Sequence, residues 1–510
     1  MFLRSLSVRS FLAVTAFAGL AVAQTVSVQQ YGARGDGSTD DSAAIQTAIN
    51  NSPTGSTIDF GNASYTYLVG HTIYLLSGRN YTGSATVRLS GRASGGSPVF
   101  SLRDPYPNNV AITGLTLDGN NVGSAFWVDF ASNTTALYAS GILIQSIAAV
   151  NSVGQPAIFS PGTLDQSTIT GNMFSNCTGG IAMFSPDHLV ISNNHFDHIT
   201  ADDAIMVTLN AVPFPFGHSL KISNNNGENL ARMGIEVVGM GTSTPGAVVV
   251  NQNVFTNWLP SAGNQFFGIS IFSGTMAQIS GNVVEGPGGV GIEVGSPGAL
   301  VSDNLVTNFA LGATIEAPNT TIQNNHFLNN SATAISVTNS PYSKQSTVIT
   351  GNYIAEAQML GIDIGTPNWQ GSQINENTII RSASWQNDGT NTFTGIGITP
   401  PSGSVSVTNN NIMLQVFNSS PVPGFIGIRV NGNSGSNAQS VYDSNTVRAT
   451  GVSQGSGIYA NSPGSLDGAI VTNNSFIGLA QATAGAPGQN PTSGGNTQVQ
   501  CLTIGPFSLF

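Results

Sequence analysis

Short apolar runs recur along the whole chain, and one six-residue pattern returns many times. The pattern is apolar-x-x-Asn-x-apolar, as in ITGNMF (169–174), ISNNHF (191–196) and VSDNLV (301–306). Its asparagines are 21 to 35 residues apart, and the intervals hold short strands and no helical stretch. This period predicts a solenoid whose repeating unit is one coil of β-strands. The asparagines in this position are Asn172, Asn194, Asn225, Asn253, Asn282, Asn304, Asn325, Asn352, Asn377, Asn410, Asn445 and Asn474.

These asparagines are predicted to be structural. Asparagine tolerates the left-handed backbone of a tight bend, so each one is expected at a corner of its coil. In-register stacking then lets the side chains form hydrogen bonds from coil to coil.

A second pattern, mostly Gly-Ile-x-apolar, follows each corner, as in GIAM (180–183), GIEV (234–237) and TIEA (314–317). A strand period of two turns the isoleucine inward and the next residue outward. Stacked coils therefore present one outward column on one sheet. It is predicted to contain Ala182, Met206, Glu236, Ser270, Glu293, Glu316, Ser336, Asp363, Gly397, Arg429 and Tyr459.

The N-terminal region predicts a short helix. Asp40 or Asp41 is placed to cap it, and Ala44, Ile45, Ala48 and Ile49 lie on its apolar face. The stretch YGARGDGSTDDSAAIQTAI resembles the N-terminal signature of the pectate-lyase-like, rhamnogalacturonase/epimerase-type β-helix superfamily. That resemblance implies a right-handed parallel β-helix whose open end is plugged by the helix.

The chain is thus predicted to be an all-β protein: a single-domain right-handed parallel β-helix of about a dozen or more coils. Residues 1–23, with Arg4, Arg9 and an apolar run ending in Ala23, are interpreted as a secretory signal peptide. Residues 24–56 hold the first strand and the capping helix, 57–479 the β-helix, and 480–510 an irregular tail. A secreted protein without a membrane anchor is expected, since no later apolar run is long enough to span a bilayer.

Composition narrows the range of partners. The formal net charge is −11, charged residues make up 7% of the chain, and there are two lysines, Lys221 and Lys344. Nucleic acid is excluded as a partner because phosphate binding needs clustered cations. Strongly anionic glycans are disfavoured unless a metal bridges them. Cys177 and Cys501 lie far apart along the predicted solenoid, which argues against a disulfide between them.

The candidate chemistry lies around the strand AIMV (204–207). Asp202 and Asp203 directly precede it, and Glu236 follows one coil later. Paired carboxylates on neighbouring coils suit glycoside hydrolysis, in which one group protonates the leaving oxygen and the other activates water or attacks. Arg232 and His198 are predicted to orient or tune these carboxylates.

Other residues are candidates for binding a polysaccharide. Glu293, Glu316, Asp363, Arg429 and Tyr459 belong to the outward column and would line a groove along that face. Trp258 and Trp369 fall in predicted loops beside it, where their faces would stack on sugar rings.

The segment ADDAIMV partly resembles the Gly-Asp-Asp-Cys segment of polygalacturonases. By that resemblance only Asp202 and Asp203 carry over, as acid and base. Gly179 and Met233 stand where those enzymes have a further aspartate and a histidine.

Two alternatives to a hydrolase stay open. One is a lyase or epimerase that acts on uronates. The acidic column would bind Ca²⁺, and this ion would neutralise the carboxylate of the uronate. The other is a non-catalytic glycan-binding or surface-structural solenoid. No cofactor is expected for the hydrolase, and Ca²⁺ is expected only for the lyase.

Overall fold

A computed structural model gives the architecture of the chain. It describes residues 24–93, 96–104, 106–128, 138–210, 218–240, 246–259, 266–272, 274, 276–338, 346–365, 369–382, 393–399, 404–415, 425–432, 439–450, 455–485 and 491–499. The predicted signal peptide and Cys501 lie outside these residues.

Three long parallel sheets wind around a common core, with 18, 18 and 16 strands in the described residues. Each strand pairs in register with the strand of the next coil. One coil therefore contributes one strand to each sheet, which confirms the predicted all-β parallel solenoid.

The first sheet contains Thr25–Ser27, Thr57–Asp59, Asn80–Thr82, Asn108–Thr113, Tyr138–Gln145, Thr163–Thr170, Asp187–Ser192, His218–Ser223, Gly246–Asn251, Gln278–Ser280, Leu300–Ser302, Thr320–Gln323, Thr347–Thr350, Gln373–Asn375, Ser406–Thr408, Val441–Asp443, Ile470–Thr472 and Thr492–Gly494. The second contains Asp36–Asp40, Thr66–Val69, Thr86–Leu89, Thr116–Asp118, Ala148–Val150, Met173–Cys177, His195–Ile199, Asn226–Leu230, Val254–Trp258, Val283–Glu285, Leu305–Thr307, His326–Leu328, Tyr353–Ala355, Thr378–Arg381, Asn411–Gln415, Thr446–Thr450, Ser475–Ile477 and Thr497–Val499. The third contains Ile73–Leu75, Pro98–Leu102, Ser124–Val128, Ile158–Ser160, Ile181–Phe184, Ile205–Asn210, Ile235–Met240, Phe267–Ile271, Val290–Val294, Leu311–Ile315, Thr333–Val337, Leu360–Ile364, Phe393–Ile398, Phe425–Val430, Gly455–Ala460 and Gln481–Gly485.

The corner asparagines form a continuous ladder between the first and second sheets. Asn282 shows the repeating unit: its backbone N–H and its Nδ2 both donate to Oδ1 of Asn304, each over 2.9 Å. Its Nδ2 also donates to the carbonyl of Val250, one coil earlier. The ladder residues are buried, and their stacking is confirmed.

The left-handed backbone at these corners belongs to the residue before each ladder asparagine, not to the asparagine itself. Asn193, Asp303 and Glu376 have φ of 56°, 58° and 59°, directly before Asn194, Asn304 and Asn377. The ladder side chain is therefore selected for its hydrogen bonds, and its neighbour for the bend.

A short helix, Ser42–Asn51, lies at the N-terminal end after a 3-10 turn at Val28–Tyr31. Ile45, Ala48 and Ile49 are fully buried against the first coils, as their spacing predicts. Asp40 caps the first turn by accepting the N–H of Ser42, while Asp41 accepts the N–H groups of Arg34 and Gly35. The two aspartates thus divide the capping of the helix and the bracing of the preceding loop.

The predicted irregular tail is wrong for part of 480–510. Gln481–Gly485, Thr492–Gly494 and Thr497–Val499 add one more strand to each sheet. Asn496 extends the ladder by accepting from Asn474. This coil was missed because its strands carry almost no apolar residues, so they show none of the alternation that marks the earlier coils.

Two further features concern the core and the membrane. Cys177 is buried in the core and is not part of a disulfide. Across the described residues, the structure contains no helix with the length and apolar character needed to cross a membrane.

Candidate active site

The outer column of the third sheet is close to the one predicted. Pairing aligns Ala182 with Met206, Met206 with Glu236, and so on through Arg429 and Tyr459. One member is wrong: Thr314, not Glu316, aligns with Glu293 and Ser336. Glu316 points to the same side by parity but follows the end of its strand, so it lies at the edge of the face.

The error at Glu316 has a packing cause. Gly312 aligns with Gly291 of the preceding coil, and both positions need glycine. A Cβ at Gly312 would lie 2.5 Å from the carbonyl oxygen of Ala334, and a Cβ at Gly291 would lie 2.6 Å from that of Gly312. The glycine therefore sets the register here, and the inward position after it is filled by Ala313 in place of isoleucine.

Three carboxylates of the predicted site converge on one guanidinium group. Arg232 Nη1 lies 3.1 Å from Oδ1 of Asp202 and 2.9 Å from Oδ2 of Asp203. Its Nη2 lies 3.1 Å from Oε1 of Glu236. Ile205 pairs with Ile235, and the same offset of one coil places Arg232 beside Asp202, with Glu236 four residues on, so the coil spacing itself creates this cluster. We call these four residues the Arg232 cluster.

Asp203 is the buried member of the Arg232 cluster. Its side chain is 0% exposed, and its Oδ1 accepts the backbone N–H of Met233 over 3.1 Å. Burial raises the pKa of Asp203 well above the usual range of a carboxyl group, although Arg232 opposes the shift. The charges of Glu236 and Asp202 and a hydrogen bond with Glu236 raise it further. One positive charge faces three carboxylates here, which favours the protonated form of Asp203.

Asp202 and Glu236 are the members that solvent reaches. Their side chains are 36% and 12% exposed, against 0% for Asp203. Burial alone would lower the pKa of Arg232, but the charges of Asp203 and Glu236 raise it. The guanidinium therefore stays charged and holds the two accessible carboxylates in place.

Trp258 supports this cluster from below and does not lie in a loop as predicted. It ends the strand Val254–Trp258, is 7% exposed, and its Nε1 donates to the carbonyl of Arg232 over 2.7 Å. Its ring stacks on Phe266. Trp258 thus fixes the Arg232 backbone, and little of its surface is free to stack on a sugar.

His198 does not join the Arg232 cluster in the structure. Its Nδ1 lies 2.6 Å from Oδ1 of Asp197, on the second sheet. His198 has φ of 55° and is in register with Asn176 and Asn229, which have φ of 53° and 56°. It occupies a left-handed bend of the coil, and this geometry directs it away from Asp202.

The other acidic groups on the outer face share one electrostatic trend. Burial raises the pKa of Glu293, against a hydrogen bond from Ser270 Oγ, and the charges of Glu316 and Glu236 add to the shift. Burial also raises the pKa of Glu316. For Asp363 burial raises the pKa while Arg429 opposes it. The middle of the face therefore carries acids that tend to hold protons.

The remaining predicted binding residues divide into two groups. Arg429 and Tyr459 are in register on the outer face, and Arg429 reaches toward Asp363 across Gly397. Trp369 is fully buried, with its Nε1 3.2 Å from the carbonyl of Thr338. Its predicted role in stacking on sugars is therefore wrong: the ring is part of the core.

Sequence reasoning did not foresee a group on the first sheet. In the described residues, Asp165, Asp187 and His188 bring potential ligand atoms within 4.8 Å of one another. They already pair among themselves, with His188 Nδ1 3.1 Å from Asp165 and 3.3 Å from Asp187. Their register on adjacent strands was the available signal, since Asp165 aligns with Asp187.

Comparisons with known proteins agree with this architecture. Residues 106–258, 216–354 and 261–412 match the family described as "Right handed beta helix region". Residues 25–122 match "Rhamnogalacturonase A/epimerase, pectate lyase-like". A search of curated proteins gives no significant match.

A search of solved structures gives matches of low sequence identity and low TM-score. Geobacillus virus E2 ORF18 is 16% identical with a TM-score of 0.36, and the match covers 63% of this chain and 62% of that one. The Streptococcus pneumoniae surface protein and adhesin PfbA is 15% identical with a TM-score of 0.42, covering 79% and 100%. A hyperthermoactive exopolygalacturonase from Thermotoga maritima is 14% identical with a TM-score of 0.35, covering 78% and 92%.

The family matches cover the helix, the first coils and most of the stacked repeat, and they supply the right hand of the winding that the N-terminal resemblance implies. The chain belongs to the right-handed β-helix family, with a pectate-lyase-like, rhamnogalacturonase/epimerase-type N-terminal region.

Proposed function

We propose that this protein is a secreted glycoside hydrolase that cleaves a polysaccharide lying along the outer face of the third sheet. One observation carries the proposal: Asp202, Asp203 and Glu236, from two neighbouring coils, converge on Arg232. Glycoside hydrolysis needs two carboxyl groups in opposite protonation states, and this cluster supplies a proton-holding acid beside accessible carboxylates.

The burial of Asp203 changes the roles expected from the sequence. A fully covered carboxyl group cannot touch a sugar, so Asp203 is a positioning residue that holds the proton of the cluster. Its hydrogen bond with Glu236 offers a path for that proton to the surface. Glu236 is then the general acid that faces the leaving oxygen.

Asp202 is the candidate base. Its carboxylate is the most exposed of the three and accepts from Arg232 through one oxygen. In the reaction Asp202 takes a proton from water, the water oxygen bonds to the anomeric carbon, and the glycosidic C–O bond breaks. Glu236 passes the proton held by Asp203 on to the leaving oxygen, so the step ends with Asp203 ionised and Asp202 protonated. Transfer of a proton through solvent from Asp202 back to Asp203 restores the starting state.

A panel of polysaccharides scored for new reducing ends and for unsaturated products tests the reaction class. The wild-type protein and Asp203→Asn are compared on each polysaccharide, with Asp197→Asn as a matched aspartate on the second sheet. Hydrolysis produces reducing ends without absorbance at about 235 nm and survives EDTA. We expect the Asp203 variant to lose most of the activity and the Asp197 variant to keep it.

Two outcomes would replace the proposal. Unsaturated, EDTA-sensitive products would establish the Ca²⁺-assisted lyase alternative. Binding without cleavage would establish a non-catalytic glycan-binding solenoid. The complete burial of Asp203 favours this second candidate, since a covered, paired carboxylate also serves as a structural brace.

A further inference from the structure

The first coils of the third sheet have an aromatic outer face, quite unlike the acidic middle. Tyr74, Ser101, Trp127 and Phe159 follow one another in register in the outer column, directly before Ala182. Trp127 contacts Phe159 edge to face with ring centroids 5.9 Å apart, and Phe159 contacts Phe184 in the same way at 5.9 Å. The rings of Trp127, Phe159 and Phe184 form a contiguous surface toward the Arg232 cluster, and Tyr74 lies two coils before Trp127, across Ser101.

A pocket of about 290 Å³ opens on this aromatic surface. Tyr74 and Trp127 form two of its sides, with Ser101 between them in the register of the sheet. The pocket is lined by Thr72, Tyr74, Gly96, Ser97, Pro98, Ser101 and Trp127, none of which is charged.

Two polar atoms of this lining have no hydrogen-bond partner among the described residues. They are Oγ of Ser101, a residue only 2% exposed, and Nε1 of Trp127. A buried hydroxyl without a partner costs about 1–3 kcal/mol, so such atoms are usually satisfied by a ligand or by water. Both residues belong to the lining of the same pocket as Tyr74, which is 39% exposed and has Arg103 over its ring.

We propose that this pocket is a binding subsite for one ring of an uncharged polysaccharide. The aromatic surface of Tyr74 and Trp127 covers the apolar C–H face of a sugar ring. The unpaired atoms of Ser101 and Trp127 are covered in this structure, so they meet a sugar hydroxyl only after the lining side chains shift on binding. None of the described lining residues is charged, which favours a neutral ring. Arg103, whose Cζ lies 5.3 Å from the Tyr74 ring centroid, is a neighbouring cation that would favour a uronate, and the polygalacturonate comparison separates the two. The inference rests on the proposed function, because it specifies the substrate class of the same outer face.

The position of the pocket gives the substrate a minimum reach. The outer column passes from Trp127 to Glu236 in four coil steps, through Phe159, Ala182 and Met206. At about 4.8 Å per step, the pocket lies roughly 19 Å from the candidate acid. A polysaccharide held at both places therefore extends several sugar units to the N-terminal side of the bond that is cleaved.

Affinity electrophoresis of the full chain tests this subsite separately from catalysis. The native gels contain hydroxyethylcellulose, dextran, arabinoxylan or galactomannan, with polygalacturonate as the charged comparator. All variants are made in a Glu236→Gln background so that cleavage cannot remove the probe. Trp127→Ala and Tyr74→Ala are compared with Tyr353→Ala, a similarly exposed tyrosine on the second sheet.

We expect at least one neutral polysaccharide to retard the protein more strongly than polygalacturonate does. Each pocket variant should raise the Kd about tenfold, while Tyr353→Ala should leave it unchanged. A thermal melt of each variant shows whether the coils remain folded. Tyr74 keeps the test valid if Trp127→Ala does not fold, since the Tyr74 side chain is largely exposed.

Three results would overturn the proposal. They are no retardation by any neutral polysaccharide, retardation of the pocket variants equal to that of the parent Glu236→Gln protein, and stronger retardation by polygalacturonate than by the neutral polysaccharides. These outcomes are distinct from failure of the hydrolase assignment. Retardation that depends on Trp127, in a protein that cleaves nothing, would preserve the subsite and reject the catalytic role of the Arg232 cluster.

Discussion

Nη1 of Arg232 lies 2.9 Å from Oδ2 of Asp203, which joins a partly exposed cation to a carboxyl group that solvent does not reach. The residues come from neighbouring coils, with Arg232 one register position before the partner of Asp203. This contact ties the fold to the proposed chemistry, because the coil repeat brings the charge to the buried acid.

Removing the guanidinium is expected to weaken the fold. Arg232→Met keeps most of the side-chain volume but leaves Oδ2 of Asp203 without its donor, so we predict a loss of about 1–3 kcal/mol. This loss of stability is smaller than that expected when one partner of a buried ion pair is removed, because Asp203 can bind a proton and become neutral. Denaturant unfolding measures the effect, with Arg448→Met, on the exposed side of another coil, as the control. Equal stabilities for the two variants would contradict the role given to Arg232.

The raised pKa of Asp203 predicts a distinct pH dependence of stability. Below about pH 4 the carboxyl group is protonated in both folded and unfolded chains and makes no difference. As the pH rises above about 4, the unfolded chain releases this proton while the folded chain keeps it, so the free energy of unfolding falls. The slope from this one group reaches at most about 1.4 kcal/mol per pH unit.

Asp203→Asn removes that proton equilibrium and should flatten the curve. The free energy of unfolding of both proteins is measured from pH 4 to pH 8. We expect the wild type to lose stability relative to the variant as the pH rises. Glu293, Glu316 and Asp363 contribute in the same direction in both proteins, so the difference isolates Asp203. A pH-independent difference would show that Asp203 has an ordinary pKa.

The asparagine ladder should be worth several kcal/mol at each step. Asn304→Ala removes the acceptor of the backbone N–H and of one Nδ2 hydrogen of Asn282, which leaves two buried N–H groups without a partner, while the other Nδ2 hydrogen still donates to Val250. At about 1–3 kcal/mol for each donor, the predicted loss is roughly 2–5 kcal/mol in thermal or denaturant unfolding. Asn304→Asp restores an acceptor and should recover part of it, whereas Thr307→Ala, on the same coil, should cost far less.

The glycine column predicts a steric effect that does not depend on hydrogen bonding. A Cβ at Gly312 would lie 2.5 Å from the carbonyl oxygen of Ala334, so Gly312→Ala must shift the backbone of a neighbouring coil. We expect a loss of about 1–3 kcal/mol, as for other overpacked cores. Gly91→Ala is the matched control, since a Cβ there meets nothing within 4 Å. A neutral effect at Gly312 would show that the coils separate more easily than the structure implies.

Much of this architecture could be predicted from the sequence because the same pattern recurs in each coil and fixes how that coil pairs with the next. The asparagine spacing predicts the ladder, and the Gly-Ile-x-apolar pattern predicts nearly all of the outer column. The errors fall where two signals competed. At 312–317, isoleucine was used to set the register, but Gly312 sets it through its close approach to the next coil. In the last coil, Asn496 was the remaining signal once the apolar residues were gone.

The candidate site was predictable in its charges but not in its burial. Asp202, Asp203 and Glu236 were found from adjacency and coil spacing. Nothing in the local sequence says that the Asp203 side chain is completely covered, that Trp258 packs beneath Arg232, or that His198 turns toward Asp197. These outcomes depend on how neighbouring coils pack, which no single repeat encodes.

The most direct test of the central claim compares Glu236→Gln with Glu228→Gln. Glu228 lies on the second sheet of the same coil, so both variants lose one negative charge at the same level of the helix. Initial rates of reducing-end release are measured on the polysaccharides of the panel. We expect wild type and Glu228→Gln to release reducing ends at similar rates, and Glu236→Gln to be slower by about 10²–10⁴-fold. Release of reducing ends by Glu236→Gln at the wild-type rate, or no release by wild type from any polysaccharide, would contradict it.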